Sequence, residues 1–271
     1  MPELPEVETT RRGLEPHLLG RRIRTLELRN PRLRWPVPPE LPAMVAERRI
    51  QSLTRRAKYL LLETDGPSLL LHLGMSGSLR RCAPGTPLKP HDHLVFHLDD
   101  GFEIRLHDPR RFGCCLPLTE PPQLHPLLAA LGPEPLGEDF HGDMLFRLSR
   151  GRRAAVKAFI MDQQVVVGVG NIYASEALFL AGIRPGRAAG RVSRREYHDL
   201  VSQIRTVLTD AITQGGTTLR DFVREDGTHG YFRQQLRVYG REGQPCVTCA
   251  TPIHNRRIGN RASTYCPRCQ R

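Results

Sequence analysis

Four cysteines near the C-terminal end of the chain, Cys246, Cys249, Cys266 and Cys269, follow the pattern C-x₂-C-x₁₆-C-x₂-C. Each pair sets two thiolates on one tight turn, and the stretch between the pairs can form a hairpin that closes a tetrahedral sulfur set. Such a set takes zinc. With sulfur in all four positions no coordination site stays open for water, so one ion would hold structure and not catalyse. Its binding would also be folding free energy, because about 25 residues have no other core. Two redox C-x₂-C motifs would share the spacing, but neither lies in a βαβ context of the thioredoxin type. Cys82, Cys114 and Cys115 are left over and read as buried thiols. Between the cysteine pairs runs HNRRIGNRAST, which puts Arg256, Arg257 and Arg261 on the expected hairpin. Arginines there suit phosphate or groove contact, with a solvated charge run as the plainer alternative.

The other end begins MPELPEVETT. A proline at position 2 permits removal of Met1, which would expose a secondary amine. An α-amino group has a pKa of about 7.7–8.0 against about 10.4 for lysine, so roughly a tenth is neutral near pH 7. Condensed with an aldehyde-level sugar carbon, a secondary amine becomes an iminium, an electron sink for breaking a neighbouring carbon–oxygen bond. Glu3 stands next to it as a candidate general acid/base, with Glu6 close enough to assist. The same residues also suit a helix that starts behind a proline and sets acids against its own dipole. Residue types alone leave both readings open.

The elements that must position these groups can be read in outline. Glu6–Leu19 has few breakers and ends at Gly20, which predicts a helix. Short apolar runs follow at Lys58–Thr64, Ser68–Leu73, His93–Leu98 and Phe102–Leu106, punctuated by Gly66-Pro67 and Asp100-Gly101. This spacing predicts a β-sandwich. From about Gln123 the period becomes helical, with helices expected over Ala154–Gln164, Asn171–Ala181 and Ser193–Gln214. Asn171, directly behind the glycine-rich VVVGVG, would open the second of these. The fold class is therefore α+β, in a chain of 271 residues that is long enough for two domains.

The net charge of +12 is unevenly spread: 21 Lys and Arg face 9 Asp and Glu from Leu145 onward, while the first 144 residues carry 19 of each. A basic second half points to a polyanion partner. No run of about 18 apolar residues exists, which argues against a membrane span. The N-terminal segment lacks the build of a secretion signal, so a cytoplasmic protein is expected. Nothing resembles an oligomerisation stripe, and a monomer is the default.

Taken together, MPELPEVET, RRAKYLL (Arg55–Leu61), HLGMSG (His72–Gly77), HDPRRFG (His107–Gly113), VVVGVGNIYASEALF (Val165–Phe179), QGGTT (Gln214–Thr218), RVYG (Arg237–Gly240) and the cysteine ribbon resemble the formamidopyrimidine-DNA glycosylases. The resemblance runs end to end. It implies that Pro2 is the nucleophile that forms a Schiff base with the damaged nucleotide. Glu3 would be the general acid/base beside it, Lys58 a proton carrier in β-elimination or an electrostatic partner of sugar and phosphate, and Arg261 the ribbon arginine for δ-elimination and phosphate. It further implies that Met75 and Phe112 fill the gap left by an extruded base while Arg110 addresses the orphaned cytosine. His72, His91, Arg111, Arg152, Lys157 and Asn171 would hold the phosphate backbone, and the loop Gly215–Tyr231 would cover the damaged base. Extruding a base costs a few kcal/mol, which apolar and cationic plugs partly recover.

By the same resemblance, residues 1–132 form a catalytic β-sandwich, 133–240 a helix-two-turn-helix domain with the lesion loop, and 241–271 the zinc ribbon, with damaged double-stranded DNA between the domains. The expected reaction is excision of 8-oxoguanine and formamidopyrimidines followed by β,δ-elimination. The endonuclease VIII branch, which acts on oxidised pyrimidines, usually opens PEGPE where this chain has PELPE. A zinc-ribbon damage sensor without catalysis would explain the basic half as well, but would have no use for a proline amine beside a carboxylate.

Overall fold

The computed structural model describes residues 2–215 and 236–271. They form two compact units, one from residues 2–129 and Gly215, the other from 130–214 with 236–271. The first contains helix α1 (Leu4–Leu18), β1 (Arg22–Leu28), the short α2 (Leu41–Val45), β2 (Arg48–Arg56), β3 (Tyr59–Thr64), β4 (Ser68–His72), β5 (Ser78–Cys82), β6 (Asp92–Leu98), β7 (Glu103–His107), β8 (Cys114–Leu118) and the single turn α3 (Pro126–Ala129).

The eight strands pair antiparallel in the order β5-β7-β6-β1-β2-β3-β4-β8. At the centre β1 and β2 share only the pairs Arg22↔Arg49 and Ile23↔Arg48, and there the ladder turns from one four-stranded layer into the other. Period-two alternation puts Leu60 and Leu62 of β3 and Leu69 and Leu71 of β4 into one core with Leu26, Leu94, Phe96 and Leu106 of the other layer. Val7, Leu14 and Leu18 of α1 join them. The expected sandwich is present, and its helix starts earlier than Glu6 because Glu3 caps it and Pro5 fits its first turn. Apolar runs did not announce β1, β2, β5 and β8; β2, for one, reads RRIQSLTRR and buries only Ile50 and Leu53.

The second unit has α4 (Gly142–Ser149), α5 (Val156–Ile160), α6 (Asn171–Leu180), α7 (Arg194–Thr213) and the hairpin β9 (His254–Ile258) and β10 (Arg261–Tyr265). Helix α7 is capped by Ser193 with Glu196 in a capping box and buries Tyr197, Leu200, Val201, Ile204, Leu208 and Ala211 along one stripe. The helix expected over Ala154–Gln164 is only five residues long. Asp162 breaks it, its side chain accepting the Gln164 N–H at 3.0 Å and its carbonyl the Val165 N–H at 2.9 Å. The ribbon has a small core besides its sulfurs, in which Ile253, Cys246 and Cys266 meet Phe179 of α6 and Val238. No helix among the described residues is long and apolar enough to cross a membrane. Apart from Gly215, the loop expected at 215–231 lies outside the described residues.

Candidate active site and metal centre

Pro2 and Glu3 stand at the head of α1, both buried. Glu3 is the N-cap, and the Glu6 carboxylate reaches back to accept its backbone N–H at 2.7 Å. Glu6 therefore fixes the peptide that follows Pro2. One turn on, Glu8 binds Arg11, Arg12 and Arg55 at 2.8–3.2 Å. Burial alone would raise its pKa, but the hydrogen bonds from Arg11 and Arg12 and the charges of Arg11 and Arg55 bring it down to about 2. Arg55 also donates to the Ala57 carbonyl at 2.8 Å, and Ala57 sits at φ +54° in the β2–β3 turn. Lys58 is next in that turn and is buried. Glu8 thus clamps the helix that carries Pro2 to the hairpin that carries Lys58.

His72 ends β4, opposite Tyr59 on one side and Cys114 on the other, with its ring 4.8 Å from that of Tyr59. Its Nδ1 accepts the Gly74 N–H at 3.0 Å, so the neutral ring carries its proton on Nε2. Burial, helped by the positive charges of Lys58 and Arg34, lowers its pKa to about 4. It is a neutral donor at pH 7. Just beyond it, Met75 and Phe112 are 38 and 40 per cent exposed, high for such side chains. The loops that bear them nest backbone to backbone. A Cβ on Gly74 would lie 2.6 Å from the Gly113 nitrogen, and one on Gly113 would lie 2.5 Å from the His72 carbonyl. Asp108, fully buried, closes the second loop by accepting the Gly113 N–H at 2.7 Å and, through its carbonyl, the Arg111 N–H at 3.1 Å. Arg110 and Arg111 are exposed, Arg110 lying 4.7 Å over the Phe112 ring.

His91 is exposed and its ring faces those of His93 and His107 at about 6 Å. Behind it the buried Asp92 accepts from His107 Nδ1 and Arg80 at 2.8 Å each and from the Lys89 N–H at 2.9 Å. Burial would raise this carboxyl, yet these donors hold it at about 2. His107 begins the loop that ends in Phe112, so Asp92 fixes the root of that loop.

The remaining expected residues belong to the second unit. Arg152 is exposed, donating to the Leu148 carbonyl at 3.0 Å. Asn171 opens α6 behind Gly170, and its Oδ1 is buried with no hydrogen-bond partner. Lys157 is almost wholly buried, with Nζ 2.9 Å from Ser263 Oγ and 3.2 Å from the Ala262 carbonyl. It grips β10 one residue beyond Arg261, which is itself exposed at the start of that strand. Sequence reasoning missed Glu176. From inside α6 its carboxylate accepts the backbone N–H groups of Arg237, Val238 and Tyr239 at 2.8–2.9 Å. Nothing in local spacing could have found a partner about sixty residues away.

The four ribbon sulfurs all lie within 4.8 Å of one another, with Cys249–Cys266 at 3.5 Å and Cys246–Cys269 at 3.9 Å. Tetrahedral zinc with bonds of about 2.3 Å needs sulfurs about 3.8 Å apart, which this set provides. Backbone N–H groups of Thr248 and Cys269 point at the sulfurs of Cys246 and Cys266 at 3.4 Å, support that a thiolate accepts well. Gln270 locks the second knuckle to the helices, accepting from Cys266 N–H and donating to the Ile183 carbonyl, both at 2.8 Å.

Comparison with known proteins agrees along the whole chain. Residues 1–115 match the formamidopyrimidine-DNA glycosylase N-terminal domain, 131–223 the H2TH domain of the same enzymes, and 243–271 the zinc finger found in FPG and IleRS. With that match, the four cysteines are the ligands of one structural zinc ion. The formamidopyrimidine-DNA glycosylases of Thioalkalivibrio sulfidiphilus and Hahella chejuensis are 63 and 57 per cent identical over 271 residues, the full length of both chains in each case. Among solved structures, the Fpg protein of Thermus thermophilus superposes with a TM-score of 0.88 at 39 per cent identity, covering 99 per cent of this chain and 98 per cent of that one. Lactococcus lactis Fpg in complex with DNA containing an abasic site gives 0.91 at 32 per cent identity, with 99 per cent of both chains covered. The chain belongs to the formamidopyrimidine-DNA glycosylase family.

Proposed function

We propose that the protein is a bifunctional DNA glycosylase and abasic-site lyase that removes 8-oxoguanine and formamidopyrimidines from duplex DNA. The observation that carries this reading is the head of α1, where Pro2 and the Glu3 carboxylate are buried together and Glu6 locks the intervening backbone, in a chain of this family. The complexes of Lactococcus lactis Fpg with DNA containing an abasic site or a benzylated Fapy-dG support the substrate class.

Once Met1 is removed, the Pro2 nitrogen attacks C1′ of the damaged nucleotide. The bond from C1′ to the base breaks, the base leaves with a proton, and the sugar ring opens to an iminium. Glu3 is the acid/base within reach of that carbon. The iminium acidifies C2′–H; loss of that proton expels the 3′-phosphate, and a second loss, from C4′, expels the 5′-phosphate. Water then releases the sugar fragment from Pro2 and a one-nucleotide gap remains. Lys58 serves the first elimination and Arg261 the second. His72 donates from Nε2 to a phosphate, joined by His91, Arg111, Arg152 and Asn171, while Lys157 acts from behind, holding the strand that carries Arg261. Met75 and Phe112 fill the vacated stack, and Arg110 meets the orphaned cytosine. The zinc ion shapes the hairpin and takes no part in bond breaking. On this reading residues 1–132 are the catalytic domain, 133–240 the helical DNA-binding domain and 241–271 the ribbon, in a cytoplasmic monomer.

Borohydride trapping on duplexes carrying 8-oxoguanine opposite cytosine, thymine glycol, or no damage tests the reading. The expected result is a covalent adduct at Pro2 on the 8-oxoguanine duplex. Adduct on thymine glycol alone would move the protein to the endonuclease VIII branch. Tight binding without adduct on any duplex would leave a non-catalytic sensor.

A further inference from the structure

The loop between β1 and α2 has had no part in the machinery so far. Its base is tied beside His91: Arg29 donates from Nη1 to the carbonyls of Lys89 and Asp92 at 3.2 and 3.0 Å, and the N–H groups of Arg29 and Asn30 reach the His93 carbonyl at 2.9 and 3.3 Å. Within the loop, Leu33 and Val37 are sunk into the sandwich core, and both send their N–H to the Pro31 carbonyl at 2.9 Å. Arg34 and Trp35 project between those two anchors. Trp35 is 43 per cent exposed and stacks on no other ring among the described residues. Arg34 is exposed and has neither a hydrogen bond nor an ion pair among the described residues. Its charge nevertheless acts on His72 together with that of Lys58.

A pinned loop that leaves a large ring and an unneutralised cation adjacent on its crest has the chemistry used to follow a nucleic-acid strand, a phosphate for the cation and a flat face for the ring. We propose that Arg34 and Trp35 are an additional grip on the DNA strand, Arg34 taking a phosphate and Trp35 laying its ring on the adjoining deoxyribose, in continuation of His91, His72 and Lys58. The proposal rests on the DNA-repair reading above.

Trp35 is the chain's single tryptophan, so its emission reports on this loop alone. The wild-type protein is titrated with a labelled duplex carrying a tetrahydrofuran abasic analogue opposite cytosine, with anisotropy and tryptophan emission followed together. Emission is expected to change in step with anisotropy. W35A should weaken binding roughly tenfold while W35F retains most of it, and R34Q should reduce the slope of log Kd against log salt by about one. Unaltered melting temperatures establish that the variants are folded. Saturating anisotropy with silent emission overturns the proposal. So does an emission change when W35A and R34Q bind like the wild type with the same salt slope, because proximity is then not grip. A wild-type protein that fails to bind this duplex at all removes the DNA-repair reading itself.

Discussion

The head of α1, which carries the proposed nucleophile, and the hairpin β9–β10, which carries the proposed phosphate-binding arginine, are held by opposite means. Around Pro2, Lys58 and the Phe112 loop, rigidity comes from buried carboxylates that accept hydrogen bonds: Glu6 from a backbone N–H, Glu8 from three arginines, Asp92 from His107, Arg80 and a backbone N–H, and Asp108 from Gly113 through Oδ2 alone. Around Arg261 it comes from sulfur ligands, one buried lysine and one buried glutamine. A carboxylate network grows out of a large core that exists without it. A hairpin of two five-residue strands has little core of its own and borrows order from an ion and from α6. The difference predicts that the two regions fail separately.

The largest expected effect is loss of zinc. A structural site of this kind binds its ion with about 10–16 kcal/mol at neutral pH. Chelation, or Cys269→Ser, should abolish DNA binding and hydrogen-exchange protection in β9 and β10 while the sandwich core stays protected. Protection lost from both together would break the comparison. Next, Glu3→Gln should lower base excision by roughly 10²–10⁴-fold, the usual worth of a positioned acid/base, with melting temperature little changed. Normal excision by this variant in single-turnover assays would remove Glu3 from the chemistry.

Glu176→Gln sharpens the contrast, because it places a carboxylate latch inside the metal-held unit. The amide can no longer accept on both sides, so a buried N–H among Arg237–Tyr239 is left unpaired, which should cost about 1–3 kcal/mol by denaturant unfolding. The smallest effect is a pH dependence. Glu8 is depressed from its ordinary 4.5 to about 2 in the folded protein, so its contribution is complete above 4.5 and drains away as the pH falls toward 2. Glu8→Gln should flatten the stability profile in that window and leave it unaltered at neutral pH in slope. A profile as steep as the wild type's would assign the acid sensitivity elsewhere.

What could be read in the chain beforehand was whatever is local. The cysteine spacing, the leucine-rich strands β3 and β4 and the stripe of α7 each announce themselves within a few residues, whereas the proline–glutamate start took its meaning from the motifs along the rest of the chain. What could not be read was long-range pairing of charge. Glu8 meets Arg55, Asp92 meets Arg80 and His107, and Glu176 meets Val238, at separations of 47, 12, 15 and 62 residues. Strands β2 and β5 escaped notice for a related reason, since arginines occupy positions where alternation would otherwise show. Helix α5 was overestimated because the period continues through Asp162 while the backbone follows that side chain into a turn.

The nested backbones at Gly74 and Gly113 bear on time as well as on shape. A repair enzyme that meets mostly sound base pairs gains from a short dwell at each. With no side chain between the two loops, Met75 and Phe112 sit on what is mechanically one stiff body, and a push on either tip is carried to the other before either loop can relax alone. If Met75 and Phe112 probe the stack as proposed, testing a base pair should be a single kinetic event with one rate.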